Sequence, residues 1–266
     1  MTQEKSQRHS LAGQVALVTG STRGIGAGIA RKFAEHGACV VVHGLEKEKQ
    51  EGEKVAADTQ AWGSEALLVL GDLKDEAHCR TLIRRAVERF GRLDLLVNNA
   101  GVVHRGNIEN TSVALWDEIF ATNLRAPFIL CQEAVKDMKE RESGCIINIG
   151  SVTAYVGLRK LLPYSASKGG LMTFTKNLAH YLTPYRIRVN QINPGWVLTE
   201  GEHYVQSVAE GKGENWLDDA LKTRPFERML LPEDIARAAL FFATNELITG
   251  AVLDYEQLVF GAPSDL

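Results

Sequence analysis

Cysteine is scarce in this chain and scattered. Cys39, Cys79, Cys131 and Cys145 form no CxxC pair, and three of them sit inside apolar or helical runs where a thiol packs as a small hydrophobe. Neither a disulfide framework nor a metal site is expected, and a reduced, cytoplasmic setting is. Excess charge of one sign is also missing: 30 Lys and Arg stand against 33 Asp and Glu, for a net −3. That balance excludes the electrostatic footprint of nucleic-acid binding and suits a small-molecule substrate or cofactor. No apolar run approaches the ~18 residues of a membrane span, and the opening MTQEKSQRHS lacks the apolar stretch of a signal peptide. Residues 1–10 read as a flexible tail, with neither membrane nor nucleic acid expected as a partner.

What is present is alternation. With 45% hydrophobic residues in 266, the chain is long enough for one large core, so residues 11–266 are expected to form a single domain. Short β-branched runs at 15–19, 39–43, 66–70, 93–98, 145–149, 187–192 and 251–255 are separated by amphipathic stretches. Two of those stretches end at Gly37 and Gly91, residues suited to a left-handed helix cap. Such βα alternation predicts an α/β fold, a Rossmann-type doubly wound parallel sheet in three layers, helix, sheet and helix. Ligands in this architecture bind beyond the carboxyl ends of the strands. Residues 200–226, polar with helical pieces, interrupt the alternation late in the chain and read as a lid insertion.

Directly after the first strand comes TGSTRGIG, with Gly20, Gly24 and Gly26 leading into a helix. Glycines there let the backbone approach a pyrophosphate whose charge meets the helix N-terminus. Together with motifs further along the chain, this turn resembles the short-chain dehydrogenase/reductase family. The TGxxxGxG spacing is joined by Asp72 after the third strand, NNAG at 98–101, Asn123 in ATNL, Ser151 after the fifth strand, Tyr164 and Lys168 in YSASK, NPG at 193–195, and Thr199. The resemblance spans roughly residues 13–254. It implies a nicotinamide cofactor held by Gly20, Thr22, Arg23, Gly24, Ile25, Gly26, His43, Gly44, Asp72, Leu73, Asn99, Ala100, Gly101, Tyr164, Lys168, Pro194, Gly195, Val197 and Thr199. Locally, NPG also fits a plain turn, and Arg23 a solvated turn residue.

Charge near the adenosine ribose bears on NADP against NAD. Gly44 stands where NAD-preferring relatives carry an aspartate, and Arg23 in the turn suits a 2′-phosphate, so NADP(H) is favoured over NAD(H). Glu46 and Glu48, just beyond, weigh the other way.

Hydride transfer to a carbonyl needs a proton delivered to its oxygen. Tyr164 and Lys168 are spaced i, i+4 and so share one helix face, where an ammonium favours the phenolate electrostatically. Ser151, at a strand's carboxyl end, is placed to hydrogen-bond the reacting oxygen. The resemblance assigns Tyr164 the acid/base role, Lys168 the lowering of its pKa and the ribose contact, Ser151 substrate orientation, and Asn123 a proton-relay water. Asp94 is expected to be structural.

The expected reaction interconverts an alcohol and a carbonyl with NAD(P)(H). Arg105 and Arg159, with His104 and Lys160, either face the pocket and favour an acidic substrate or are solvated loop charges. Trp196 is either a platform for a sugar or ring or a packed residue of the lid, and Tyr204 and Trp216 carry the same two readings. A polar sugar, polyol or small keto compound suits the polar lid. A 3-oxoacyl thioester is the alternative, and a non-catalytic NADP(H) sensor a further one. The resemblance also implies a homo-oligomer, a tetramer or a dimer, for which the apolar stripe of residues 115–140 could supply a helix.

Overall fold

The computed structural model describes residues 10–259, so most of the expected N-terminal tail and residues 260–266 lie outside it. Seven parallel strands form one sheet: β1 (Val15–Val18), β2 (Cys39–Gly44), β3 (Ala66–Leu70), β4 (Leu95–Asn98), β5 (Gly144–Ile149), β6 (Ile187–Pro194) and β7 (Val252–Tyr255). Their order is β3-β2-β1-β4-β5-β6-β7. The chain winds outward from β1 in one direction, then returns to β4 on its other side, opening a crevice at the carboxyl ends of β1 and β4. Strand β4 begins at Leu95 rather than at residue 93. Asp94 just before it accepts from the Val15 amide and is gripped by Arg92 and Arg141, the structural role expected of it.

The helices are α1 (Gly24–Glu35), α2 (Lys49–Gln60), α3 (Glu76–Phe90), α4 (Val113–Phe120), α5 (Ala126–Glu140), α6 (Leu162–Leu182), α7 (Glu200–Tyr204), α8 (Trp216–Lys222) and α9 (Pro232–Thr244). Alternate strand residues face opposite layers. Ala16, Val18, Val40, Val42, Val97 and Ile147 pack with Ile29 and Phe33 of α1, Val55 of α2, and Ile235 and Phe242 of α9. Leu17, Val41, Leu96 and Ile146 face Leu82 and Ile83 of α3, Leu130 and Met138 of α5, and Leu182 of α6. Both faces of the sheet are thereby covered, which is why the strands read as near-continuous apolar runs. Asp75 caps α3 by accepting from the Ala77 amide, and Gly91 ends it in the left-handed region at φ 77°.

Several polar side chains that cross this apolar sheet form a linked set. Asn98 donates to Asn148 at 2.8 Å, Asn148 to the Thr175 hydroxyl at 2.8 Å, and Gln191 to Asn193 at 2.7 Å, with Thr175 and Gln191 2.9 Å apart. Asn193 accepts from the Ser151 amide and donates to Asp254. Each member would be costly alone in the core, but linked together, with Asn98 Oδ1 the one acceptor of the set left without a partner, they lock β4 through β7 in register beneath Ser151.

Candidate active site

Tyr164 enters the crevice from the first turn of α6 and Lys168 from one turn further on. Lys168 is buried, with its Nζ 5.7 Å from the Tyr164 ring centroid and donating to the Ile149 carbonyl at 2.7 Å. Ser151 follows β5 directly. Its hydroxyl accepts from the Thr153 amide at 3.2 Å and the Thr153 hydroxyl at 3.0 Å, and lies near enough to Tyr164 to favour the phenolate. Gly101 faces the same point from the loop after β4, where an added Cβ would lie 3.3 Å from Asn123 Oδ1 and 3.6 Å from Lys168 Nζ.

Asn123 sits in a π-helical turn, residues 121–125, between α4 and α5. Its side chain accepts from the Val102 amide at 2.9 Å and donates to the Val102 carbonyl and the Ser167 hydroxyl. Those contacts use both amide hydrogens and one lone pair of Oδ1, so Asn123 fastens the loop after β4 to α6 and keeps one acceptor site.

Electrostatically, burial dominates here. It pushes the Tyr164 hydroxyl up to about 12, against a downward pull from the Ser151 hydrogen bond, and the Glu202 carboxylate adds to the rise. Burial also pulls Lys168 down to about 8. Nζ donates to the Ile149 carbonyl, and desolvation disfavours the charged form of both groups.

The glycine turn is built to leave room. Gly20 takes φ 60° and Gly24 φ 55°. A Cβ on Gly20 would stand 2.9 Å from Ala100 Cα, and one on Gly26 would strike the Gly20 carbonyl. Asn99 pins the turn by donating to the Thr19 and Gly20 carbonyls. Arg23 at the N-terminus of α1 provides no side-chain cap, and no acidic residue occupies the first turn. The leading amides of α1 are thus left for an anionic group, which fits the pyrophosphate of a dinucleotide. Thr199, the cap of α7, reaches back toward Gly24, whose built Cβ would lie 3.5 Å from Thr199 Cγ2.

The remaining candidates differ in their engagement. Thr22 and Ile25 are held at the base of the turn, Thr22 donating to Glu48 at 3.0 Å and Ile25 packing on the core. Glu48 also accepts from the Leu45 amide beside Gly44 and pairs with Arg23 at 3.3 Å. His43 is buried under the turn, accepting from the Gly20 amide at 3.3 Å and lying 3.4 Å from His78. Burial, with His78 beside it, pushes His43 down to about 3, so it is neutral and supplies no charge to a phosphate. Asp72 is half-exposed and accepts from the Lys74 amide, and Leu73 is core. Pro194 ends β6, Gly195 donates to the Tyr255 carbonyl, and Val197 bridges to Leu230.

The basic loop residues turn to residues 200–226. Arg105 pairs with Glu210 at 2.7 Å, and Lys160 reaches the same carboxylate at 3.6 Å, while Arg159 is exposed. Trp196 donates to Glu202 at 2.7 Å, and Trp216 is buried with Ala220 and Met229. Sequence reasoning missed Glu202, whose charge acts on Tyr164 although it lies 38 positions away in a segment without a motif. It missed Glu256 too: this carboxylate accepts from the Trp196 amide and pairs with Arg224 where both are nearly buried.

Comparison with known proteins completes these observations. Residues 14–209 match the family model for short chain dehydrogenase. An uncharacterized oxidoreductase of Thermotoga maritima is 37% identical over 92% of this chain and 96% of its own length. The 3-oxoacyl-[acyl-carrier-protein] reductase of Chlamydia muridarum is 34% identical over 92% and 97%. The crystal structure of a short chain dehydrogenase from Burkholderia cenocepacia in complex with NADP superposes with a TM-score of 0.83 at 30% identity, covering 93% of this chain and 98% of that one.

Proposed function

Because the chain belongs to the short-chain dehydrogenase family, we propose that it interconverts an alcohol and a carbonyl with a nicotinamide dinucleotide, Tyr164 being the general acid/base. The observation that carries this reading is the convergence of the Tyr164 and Ser151 hydroxyls with Lys168 at the carboxyl end of β5. A bound nicotinamide supplies or accepts the hydride. Ser151 orients the reacting oxygen by a hydrogen bond, and Tyr164 gives that oxygen a proton in reduction or removes one in oxidation. Lys168 is positioned to bind the nicotinamide ribose, and Asn123 to hold a water of the proton relay while it fastens the loop that frames the site.

The cofactor set belongs to the same reading. Gly20, Thr22, Arg23, Gly24, Ile25 and Gly26 form the phosphate turn. His43, Gly44, Asp72 and Leu73 bound the adenosine end, and Asn99, Ala100, Gly101, Pro194, Gly195, Val197 and Thr199 line the nicotinamide half. NADP(H) is favoured over NAD(H), because Arg23 is largely exposed at the turn and Gly44 carries no carboxylate. The NADP complex of the Burkholderia relative supports that preference, and Glu48 opposes it by pairing with Arg23.

For substrate, a polar sugar, polyol or small keto compound is favoured by the polar 200–226 segment. That segment acts as a lid over a single catalytic domain, with Arg105 and Lys160 as its latch rather than as receptors for an acid. The name of the Chlamydia relative supports the alternative, a 3-oxoacyl thioester. A non-catalytic sensor is disfavoured by the presence of both Tyr164 and Lys168. Homo-oligomers are expected through the face of α4, α5 and α6. There Phe128 is about half exposed beside a cavity of about 700 Å³ lined by Phe120, Leu124 and Phe174. The deciding experiment for the reaction is Tyr164→Phe: turnover of carbonyls with NADPH should fall by at least about 10³-fold while coenzyme affinity stays within about twofold. Loss of coenzyme binding along with activity would make Tyr164 structural.

A further inference from the structure

The 200–226 segment brings one carboxylate to the carboxyl end of β6, where it holds Trp196. Glu202, in α7, lies near enough to Tyr164 for its charge to act on the phenol. Two donors hold it in place, Trp196 Nε1 at 2.7 Å and Gln206 Nε2 at 2.6 Å, and both fall on the same oxygen, Oε1. Gln206 is itself buried and braced by Lys212, which donates to its Oε1 at 2.7 Å. The carboxylate plane is thereby fixed, with the acceptor capacity of Oε2 turned elsewhere.

Most of the charges around it are paired with one another, and Lys212 is held by Gln206 and lies 5.9 Å over the Trp196 ring. Glu210 takes Arg105 and Lys160, and Arg224 takes Glu256, and none of these ion pairs reaches Glu202. A half-buried carboxylate oriented by neutral donors, with no cation of its own, is costly unless a ligand supplies further donors. Trp196 beside it is held as firmly: its amide is bound by Glu256 and its ring lies 5.5 Å from the Arg224 guanidinium. A fixed carboxylate with one oxygen not bonded within the chain matches a molecule with several hydroxyl groups. The same carboxylate repels an anion, and more strongly at a partly desolvated site than in water.

We propose that Glu202 is a specificity-determining residue, accepting hydrogen bonds through Oε2 from an uncharged polyhydroxylated substrate and turning anionic substrates away. This rests on the alcohol–carbonyl reading of the site. The test is initial-rate kinetics of the full-length protein with five- and six-carbon polyols, and with aldonates of the same carbon skeleton, in the wild type, Glu202→Gln and Glu202→Ala. Glu202→Ala should raise KM for the preferred polyol about tenfold or more, the scale of a lost charge-assisted hydrogen bond, with a smaller change in kcat. Glu202→Gln should lower KM for the aldonate. A polyol KM within about twofold of wild type in both variants overturns the proposal. So does a wild type that prefers the aldonate or turns over only 3-oxoacyl thioesters, although those outcomes leave the oxidoreductase reading standing. A Tyr164→Phe protein as active as wild type sinks both. Should Glu202→Ala fail to fold, Glu202→Asp keeps the charge but shortens the reach. It should raise the polyol KM without admitting the aldonate, and a wild-type polyol KM in that variant also overturns the assignment.

Discussion

At Lys168 and Tyr164 a single cause, burial, disfavours the charged form of both groups. For Lys168 the folded pKa of about 8 lies below the ordinary 10.5. Between those values the unfolded chain holds a proton that the folded chain has released, so this site makes stability rise with pH across that window and imposes its full cost below it. Tyr164, raised from 10 to about 12, acts oppositely above pH 10. Urea unfolding of the cofactor-free protein should show the stability difference between wild type and Lys168→Met shifting toward wild type on going from about pH 8 to 10.5. The expected shift is on the order of 3 kcal/mol. A difference that does not move with pH would mean the ammonium stays charged when buried. At the other end of the crevice, Arg23 must exchange Glu48 for a 2′-phosphate to select NADP. Arg23→Ser should weaken NADPH by about tenfold and NADH far less, in fluorescence titrations. Equal weakening would remove the basis for the coenzyme preference.

Among the elements, the 200–226 segment departs most from the βα series. A π-helical turn at 205–209 and the short helices α7 and α8 bring Glu202, Gln206 and Glu210 inward, while Trp216 anchors a small apolar cluster of its own. The Glu210 clasp ties it to two loops, after β4 and before α6. Partly exposed ion pairs contribute modestly, so Glu210→Ala should raise KM severalfold, by roughly 1 kcal/mol, with kcat less affected, and should speed amide exchange across residues 200–222. Unchanged exchange would place the clasp outside lid closure. Little of this segment was legible in the sequence, because its contacts are between side chains distant in the chain and obey no period. The strands and the glycine turn were legible because each obeys a local rule: β-branched runs buried on both faces, and φ near 60° at Gly20 and Gly24. The start of β4 moved from residue 93 to Leu95 because Asp94 is drawn into the Arg92 and Arg141 ion pairs.

For the whole molecule, the face of α4, α5 and α6 leaves Phe128 about half exposed in an edge contact with Phe174. If this face joins copies of the chain, Phe128→Asp should lower the sedimentation-velocity mass to that of one chain without unfolding it. A variant that keeps the mass of the wild type would assign the interface elsewhere. Across the molecule, what the sequence determined by itself was everything governed by short-range rules: the βα alternation, the glycine turn from Gly20 to Gly26, and the i, i+4 pair Tyr164 and Lys168 on one face of α6. Only the tertiary structure decided how those parts are charged and closed. It buried Lys168 against the Ile149 carbonyl, made His43 a neutral prop under the turn, spent Arg105 and Lys160 on Glu210, and set Glu202 beside Tyr164. The reason is that burial and Coulomb interaction depend on distance in space, which strand order and lid packing set and sequence separation does not.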